Sequence, residues 1–316
     1  MSPEFENIGG TMNKQIDLLN DLCMKPEVIV TKKGKIEVDI TKGDLPAILF
    51  SHGGMGGYDQ GRAALSFLDE NKYKLICPSR PGYLQTPLES GKTLEEQADL
   101  FAALLDKLGI EKVAVVTVSA GGPPGYTFAI RHPDRIRALI AIDSVSGFYE
   151  IPETVGPISE VILLSNLGQK ILKKIAEFKP EISLKEVFST EALFTKNQMK
   201  KHMDHVLNTP KKLEFLQAFL ATMNPYKDRK IGTNNDLELY LQLTHLPFEK
   251  IQCPTLIVHG THDADVKFYD GVYAYETIAN AQRFWIEEGS HLGFWLSPNS
   301  EKAQKVVNDF LDKHCK

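Results

Sequence analysis

Val113-Ala114-Val115-Val116-Thr117-Val118-Ser119-Ala120-Gly121-Gly122 is the stretch that decides how this chain is read. A short run of small and β-branched side chains is the pattern of a strand buried on both faces, and this one runs directly into a serine with small neighbours. A helix-forming segment follows at 120–131. A serine on so tight a strand-to-helix turn has its hydroxyl lifted above the sheet edge, and the first turn of the helix beneath it offers unpaired backbone N–H groups. Small neighbours are required because the two backbones approach closely. A phosphate cradle uses a similar turn, but Pro123 and Pro124 bring no N–H where successive donors are needed.

Outward from this turn, short apolar strands alternate with helices. A short helix is expected at 13–23, then Val28–Thr31 and Ile36–Ile40 as a hairpin about Lys32-Lys33-Gly34-Lys35. Further strands are expected at 47–51, 73–77, 112–118, 136–142, 255–259 and 283–287, with helices at 58–70, 93–108, 120–131, 267–279 and 300–313. Such alternation predicts an α/β fold, a mostly parallel central sheet flanked by helices. From 146 to 248 it gives way to lysine-rich stretches of helical period, as in Ser159–Phe178, Ser183–Phe188 and Lys211–Met223, which predicts an inserted helical cap. The core is then expected to comprise 12–145 and 249–316, and residues 1–11, ahead of Met12, resemble a cloning junction.

Two further groups of strand ends carry polar residues. Phe50-Ser51-His52-Gly53-Gly54-Met55-Gly56-Gly57 ends one strand with glycines that let backbone approach a bound group, at the sheet edge where ligands of open parallel sheets bind. A dinucleotide fingerprint would need an acidic ribose partner about 20 residues on, at the next strand's end. The sequence has Ile76-Cys77-Pro78-Ser79 there. The last two strands end in His259-Gly260-Thr261-His262-Asp263-Ala264-Asp265-Val266 and Glu287-Glu288-Gly289-Ser290-His291-Leu292. A hydrolytic serine needs a base within hydrogen-bond reach, and that base needs an anion on its other nitrogen.

These stretches resemble the α/β-hydrolase family. Thr117-Val118-Ser119-Ala120-Gly121 is similar to its nucleophile elbow, G-x-S-x-G, with Thr117 in place of the first glycine. His52 to Gly56 resembles its H-G-x-x-G loop, Asp263 matches its acid in a G-x-x-D setting, and His291 matches the histidine after its last strand. Arg80-Pro81-Gly82-Tyr83 is also familiar from it. The resemblance spans roughly 28–145 and 250–313, leaving the cap uncovered, and implies the chain order serine, acid, histidine. It implies Ser119 as nucleophile, His291 as base and Asp263 as the orienting acid, with the Gly54 and Ala120 N–H groups as an oxyanion hole. Asp265 is the alternative acid, although its place before Val266 reads more as the turn that starts the next helix. Met55, Tyr58, Tyr83, Phe148, Leu292, Phe294 and Trp295 flank these strand ends and are candidates either to line an apolar pocket or to pack cap against core.

The expected activity is that of a carboxylesterase-like serine hydrolase acting on a small, mainly apolar ester, without a cofactor. A carbon–carbon bond hydrolase or another acyl hydrolase or transferase on the same triad is the alternative, and a non-catalytic ligand-binding protein of the same fold is the alternative of another class. A metal site built from His259, His262, Asp263 and Asp265 is the chemical rival, with His202 and His205 in the cap a further pair. It is set aside because His259 ends an apolar strand and the cap histidines are expected on a solvated helix face. A formal charge of −5 over 316 residues gives no general attraction to nucleic acid or anionic lipid. Cys23, Cys77, Cys253 and Cys315 are scattered, without a disulfide or zinc spacing, as expected of reduced thiols in the cytoplasm. No apolar run approaches the length of a membrane span, so no insertion is expected.

Overall fold

The computed structural model describes residues 18–150, 168 and 179–315. The junction expected at 1–11, the start of the helix expected at 13–23 and all of Ser159–Phe178 but Gly168 lie outside the described residues. After α1 (Leu18–Asp21), β1 (Glu27–Thr31) and β2 (Gly34–Ile40) pair as an antiparallel hairpin. There follow β3 (Ala47–Ser51), α2 (Tyr58–Ala64), β4 (Lys74–Pro78), α3 (Leu94–Leu108), β5 (Val113–Val118), α4 (Gly122–Arg131) and β6 (Ile136–Ile142). Four helices, α5 (Pro180–Glu191), α6 (Lys196–Leu207), α7 (Pro210–Ala221) and α8 (Lys230–Tyr240), stand where the strand–helix alternation lapses. The chain then completes β7 (Thr255–Gly260), α9 (Phe268–Thr277), β8 (Gln282–Ile286), α10 (Gly293–Leu296) and α11 (Ser300–His314).

The eight strands form one sheet in the order β1-β2-β4-β3-β5-β6-β7-β8. β2 pairs antiparallel with β4, and every pair from β4 through β8 is parallel. Side chains alternate across a strand, so each strand feeds two cores. Ile48, Phe50, Val116, Val118 and Val258 face a layer that includes Ala303, Val307 and Leu311 of α11. Ala47, Leu49, Val113, Val115 and Ile257 face the opposite layer, with Leu100, Phe101 and Leu104 of α3 and Phe128 of α4. Local signals set the helix ends: α3 starts on a capping box between Thr93 and Glu96 and stops at Gly109 in the left-handed region, φ 67°. No helix among the described residues is long and apolar enough to cross a membrane.

The turn between β5 and α4 is packed tightly against its neighbours. Ser119 has φ 53°, a left-handed conformation that costs a non-glycine residue about 1–3 kcal/mol. A Cβ on Gly121 would lie 2.0 Å from the Ser51 carbonyl oxygen, and one on Gly122 would lie 2.3 Å from that of Val145. Both positions therefore exclude a side chain. Thr117 fits where the resembling motif has glycine because the room is supplied elsewhere: a Cβ on Gly125 would lie 2.1 Å from Thr117 Cγ2. Thr117 Oγ1 and Ser144 Oγ share a hydrogen bond of 2.8 Å.

The helices between β6 and β7 are pinned to the sheet by a buried ion pair. Arg80 is fully buried; its Nη1 and Nη2 donate to the two oxygens of Asp236 on α8 at 2.8 and 2.5 Å, and Tyr83 Oη donates to Asp236 Oδ2 at 2.6 Å. A Cβ on Gly232 would lie 2.1 Å from the Tyr83 ring, so α8 packs directly on that ring. Tyr83 is thus committed to holding α8, which corrects its candidacy as a pocket residue.

Two stability predictions follow from these contacts. Gly125→Ala is expected to destabilise by about 1–3 kcal/mol through overpacking against Thr117. Adding Thr117→Ser, which removes the methyl and keeps the hydroxyl bonded to Ser144, should restore most of that loss. Urea midpoints of the single and double variants check this, and strictly additive effects would contradict it. Asp236→Ala leaves Arg80 buried and unpaired and is expected to cost about 3–5 kcal/mol, whereas a loss below about 1 kcal/mol would mean the pair behaves as a surface salt bridge.

Candidate active site

The residues singled out in the sequence come from the carboxyl ends of β3, β5, β7 and β8. At the end of β3, His52 is buried with its ring oriented from both sides. Burial, aided by Arg80, holds its pKa well below the ordinary histidine value, so the ring is neutral. Nε2 accepts from the Arg80 N–H at 2.9 Å, and Nδ1 therefore carries the proton and donates to the Gly53 carbonyl at 2.7 Å. The Gly53 N–H is itself taken by Gln60 Oε1 at 2.8 Å. A Cβ on Gly53 would lie 3.2 Å from Ser119 Cβ, and one on Gly54 would lie 3.9 Å from Ala120 Cβ. The glycine loop thus lies against the serine turn, with Gly54 beside Ala120, as an oxyanion hole from these two residues would require.

Asp263 and His291 meet directly. His291 Nδ1 donates to Asp263 Oδ2 at 2.8 Å, while Asp263 Oδ1 accepts from the Asp265 and Val266 N–H groups, both at 2.9 Å. Both side chains are buried. Burial opposes charge on Asp263, but the neighbouring His291 and His259 outweigh it and hold its carboxyl below the ordinary range. Burial likewise opposes an imidazolium at His291, and Asp263 followed by Asp265 outweighs it, raising this pKa well above the ordinary histidine value. Ser119 is half-buried and its Oγ hydrogen-bonds to no described residue. The other ring nitrogen, His291 Nε2, lies 3.3 Å from Asp265 Oδ2.

Asp265 is not the residue that starts the following helix; α9 begins at Phe268, with Lys267 as its N-cap. The side chain turns instead towards His291, and its other oxygen accepts from Tyr149 Oη at 2.5 Å. Glu191, at the end of α5, joins Asp265 and His291 in a group whose donor atoms lie within 4.8 Å of one another. Burial, then Asp265, raises the Glu191 carboxyl to about 8. The Glu191 carbonyl accepts from His291 N–H at 3.0 Å and Ala264 N–H at 3.3 Å, and Leu193 N–H donates to the His262 carbonyl at 2.8 Å. One segment between α5 and α6 therefore ties the loops that carry Asp263 and His291. Nothing in the sequence singles out Glu191 or Tyr149, whose partners are more than a hundred residues or several elements away in the chain.

The four residues of the expected metal rival do not converge. His259 Nε2 lies 3.0 Å from the Val266 carbonyl and 3.4 Å from Asp263 Oδ2, behind the Asp263–His291 contact. His262 faces α6, its Nε2 3.3 Å from Gln198 Nε2. Asp143, His259 and Asp263 do come together, but Asp143 Oδ1 accepts from Gly260 N–H at 2.7 Å and both Asp263 oxygens are engaged. A cation would have to displace these bonds. His202 is a correction: it is buried, stacked on Phe194 at 4.3 Å rather than solvated, and burial, then Lys201, lowers its pKa to about 4. His205 is half-buried.

Of the candidate pocket residues, Met55 and Tyr58 are half-buried beside the glycine loop. Trp295 packs instead: its ring stacks on Phe215 of α7 at 5.3 Å and its Nε1 donates to the Ala64 carbonyl at 2.9 Å. Leu292 and Phe294 are buried in the same core, and Phe148 is 54% exposed. Apolar residues beside the glycine loop serve packing or binding alike, and the sequence left both open.

Residues 46–298 match the family model described as the alpha/beta hydrolase fold. A solved alpha/beta hydrolase fold protein from Nakamurella multipartita is 32% identical, with a TM-score of 0.85 over 91% of this chain and 99% of that one. A Bacillus subtilis protein named as an uncharacterized hydrolase, YcgS, is 28% identical over 292 residues, 90% of this chain and 98% of that protein. A Pseudomonas putida 2-hydroxymuconate semialdehyde hydrolase is 23% identical over 273 residues, 84% of this chain and 86% of that protein. With the sheet order, the serine turn and the family match in agreement, the chain belongs to the α/β-hydrolase fold family.

Proposed function

We propose that this protein is a serine hydrolase that cleaves a carboxylic ester of a small, mainly apolar substrate through an acyl-enzyme, with residues 146–248 acting as its cap. The observation that carries this reading is the 2.8 Å contact between Asp263 and His291 Nδ1, at the same sheet edge as a serine held at φ 53°. Ser119 Oγ attacks the acyl carbonyl as His291 Nε2 takes its proton, and Asp263 steadies the imidazolium. The Ala120 and Gly54 N–H groups receive the developing oxyanion, each donor worth on the order of 3 kcal/mol. His291 then protonates the leaving alcohol and draws a proton from the water that hydrolyses the acyl-enzyme. Four free cysteines fit a reducing compartment, and we place the protein in the cytoplasm.

Carbon–carbon bond hydrolysis is the second reading, favoured by the likeness to the Pseudomonas putida hydrolase. A muconate-type substrate carries a carboxylate, and the groups around His291 speak against it. Asp265 stands 3.3 Å from its Nε2, and Arg80, buried by the His52 loop, is already paired with Asp236.

A panel of p-nitrophenyl esters of graded acyl length, run beside a ring-fission product, tests the choice. Turnover of the esters with a preference for short or medium acyl chains is expected, and turnover confined to the ring-fission product would overturn the ester reading. Ser119→Ala is expected to lower kcat by about 10⁶-fold, and near-normal activity would remove Ser119 from the mechanism. Because His291 acts as a base only when neutral and its pKa is raised, kcat/KM should climb with pH along a limb lying above the ordinary histidine value. A limb at or below that value would contradict the account.

A further inference from the structure

The nitrogen of His291 that would take the proton from Ser119 already faces a carboxylate. Asp265 Oδ2 lies 3.3 Å from Nε2, while Asp263 Oδ2 lies 2.8 Å from Nδ1, so the ring is held between two acids. A neutral imidazole has a single N–H. The Asp265 contact at Nε2 is one of charge and not a hydrogen bond, and an anionic carboxylate 3.3 Å from the ring favours its cationic form over the neutral one. An imidazolium suits both, hydrogen-bonded to Asp263 through Nδ1 and drawn to Asp265 by charge, and an imidazolium cannot accept a proton from serine.

Asp265 is not left free to turn away. Tyr149 Oη donates to its Oδ1 at 2.5 Å, and burial, then Asp265, raises the Tyr149 pKa, keeping the hydroxyl a donor. Tyr149 is in turn tied by its N–H to the Tyr240 carbonyl at the end of α8, 3.2 Å away. Tyr240 Oη donates to the Ala120 carbonyl at 2.5 Å. The groups facing His291 are thus Asp263 and Asp265 from the loop after β7 and Glu191 from α5, with Asp143 and His259 behind Asp263.

We propose that Asp265, held by Tyr149 beside His291 Nε2, is a positioning residue that keeps the base protonated, so that Ser119 becomes reactive only when this contact opens. The proposal rests on the reading of Ser119 and His291 as nucleophile and base. It distinguishes two carboxylates that the sequence offered as alternatives for one role: Asp263 orients the ring through Nδ1, and Asp265 restrains it through Nε2.

The test is the rate at which a neutral alkyl fluorophosphonate labels Ser119, measured against pH in the wild type, Asp265→Asn, Tyr149→Phe and His291→Ala. In this step the Ser119 Oγ–phosphorus bond forms, the phosphorus–fluorine bond breaks, fluoride leaves and the serine proton passes to His291 Nε2. An opposite charge at this range shifts a pKa by about 1–3 units. Asp265→Asn is therefore expected to move the acid limb of labelling down by at least about one pH unit, making it about 10-fold faster on that limb. Tyr149→Phe should shift it the same way by less. A limb that stays in place in both variants, or slower labelling at every pH, overturns the proposal. Labelling of His291→Ala at the wild-type rate would instead overturn the nucleophile–base reading itself. The ¹⁵N shifts of His291 supply a readout independent of reactivity: both ring nitrogens should remain protonated to higher pH in the wild type than in Asp265→Asn, and equal titration would contradict the restraint.

Discussion

The close approach of α4 to the ends of β3 and β6 constrains everything else at this site. Gly121 packs on the Ser51 carbonyl and Gly122 on that of Val145, so the helix starts within a side chain's thickness of the sheet. That proximity forces Ser119 into the left-handed region and brings the Ala120 backbone beside Gly54. The cost of this backbone is met by the packing around it, since β5 is buried along its whole length on both faces. A looser turn would lower the serine back towards the sheet and separate it from the glycine loop.

A second constraint comes from the helices between β6 and β7. They are not a detached cover. The Arg80–Asp236 pair joins α8 to the loop that orients His52, and the Glu191 carbonyl accepts N–H groups from both the Asp263 and His291 loops. Tyr149 and Tyr240 extend the same ties to Asp265 and to the Ala120 carbonyl. Movement of these helices would therefore be felt at His291, at the Ala120 backbone and at Asp263 and Asp265 together.

How legible each part was in the sequence follows from the range of the interactions involved. The strands were legible because burial on both faces demands continuous apolar runs, and Ser119, Asp263 and His291 stood out as candidates because each sits at a strand end. Thr117 looked like a departure from the elbow motif because its compensation, Gly125, lies on the next helix and only three dimensions bring the two together. The Arg80–Asp236 partnership spans 156 residues and leaves no local pattern. Tyr83 and Trp295 were readable as apolar residues near the site, but whether such a ring lines a pocket or packs a helix depends on what faces it, here Asp236 and Phe215. Asp265 was visible beside Asp263, yet its direction depends on Tyr149, which sequence spacing does not place.

In the proposed mechanism Ser119 carries an acyl group during turnover. Rapid quenching of the protein with a p-nitrophenyl ester, followed by peptide mass spectrometry, measures this. A burst of p-nitrophenol stoichiometric with protein and an acyl adduct on the peptide containing Ser119, absent in Ser119→Ala, is the predicted result. Ester turnover with the adduct on another residue, or undiminished turnover in Ser119→Ala, would contradict the account.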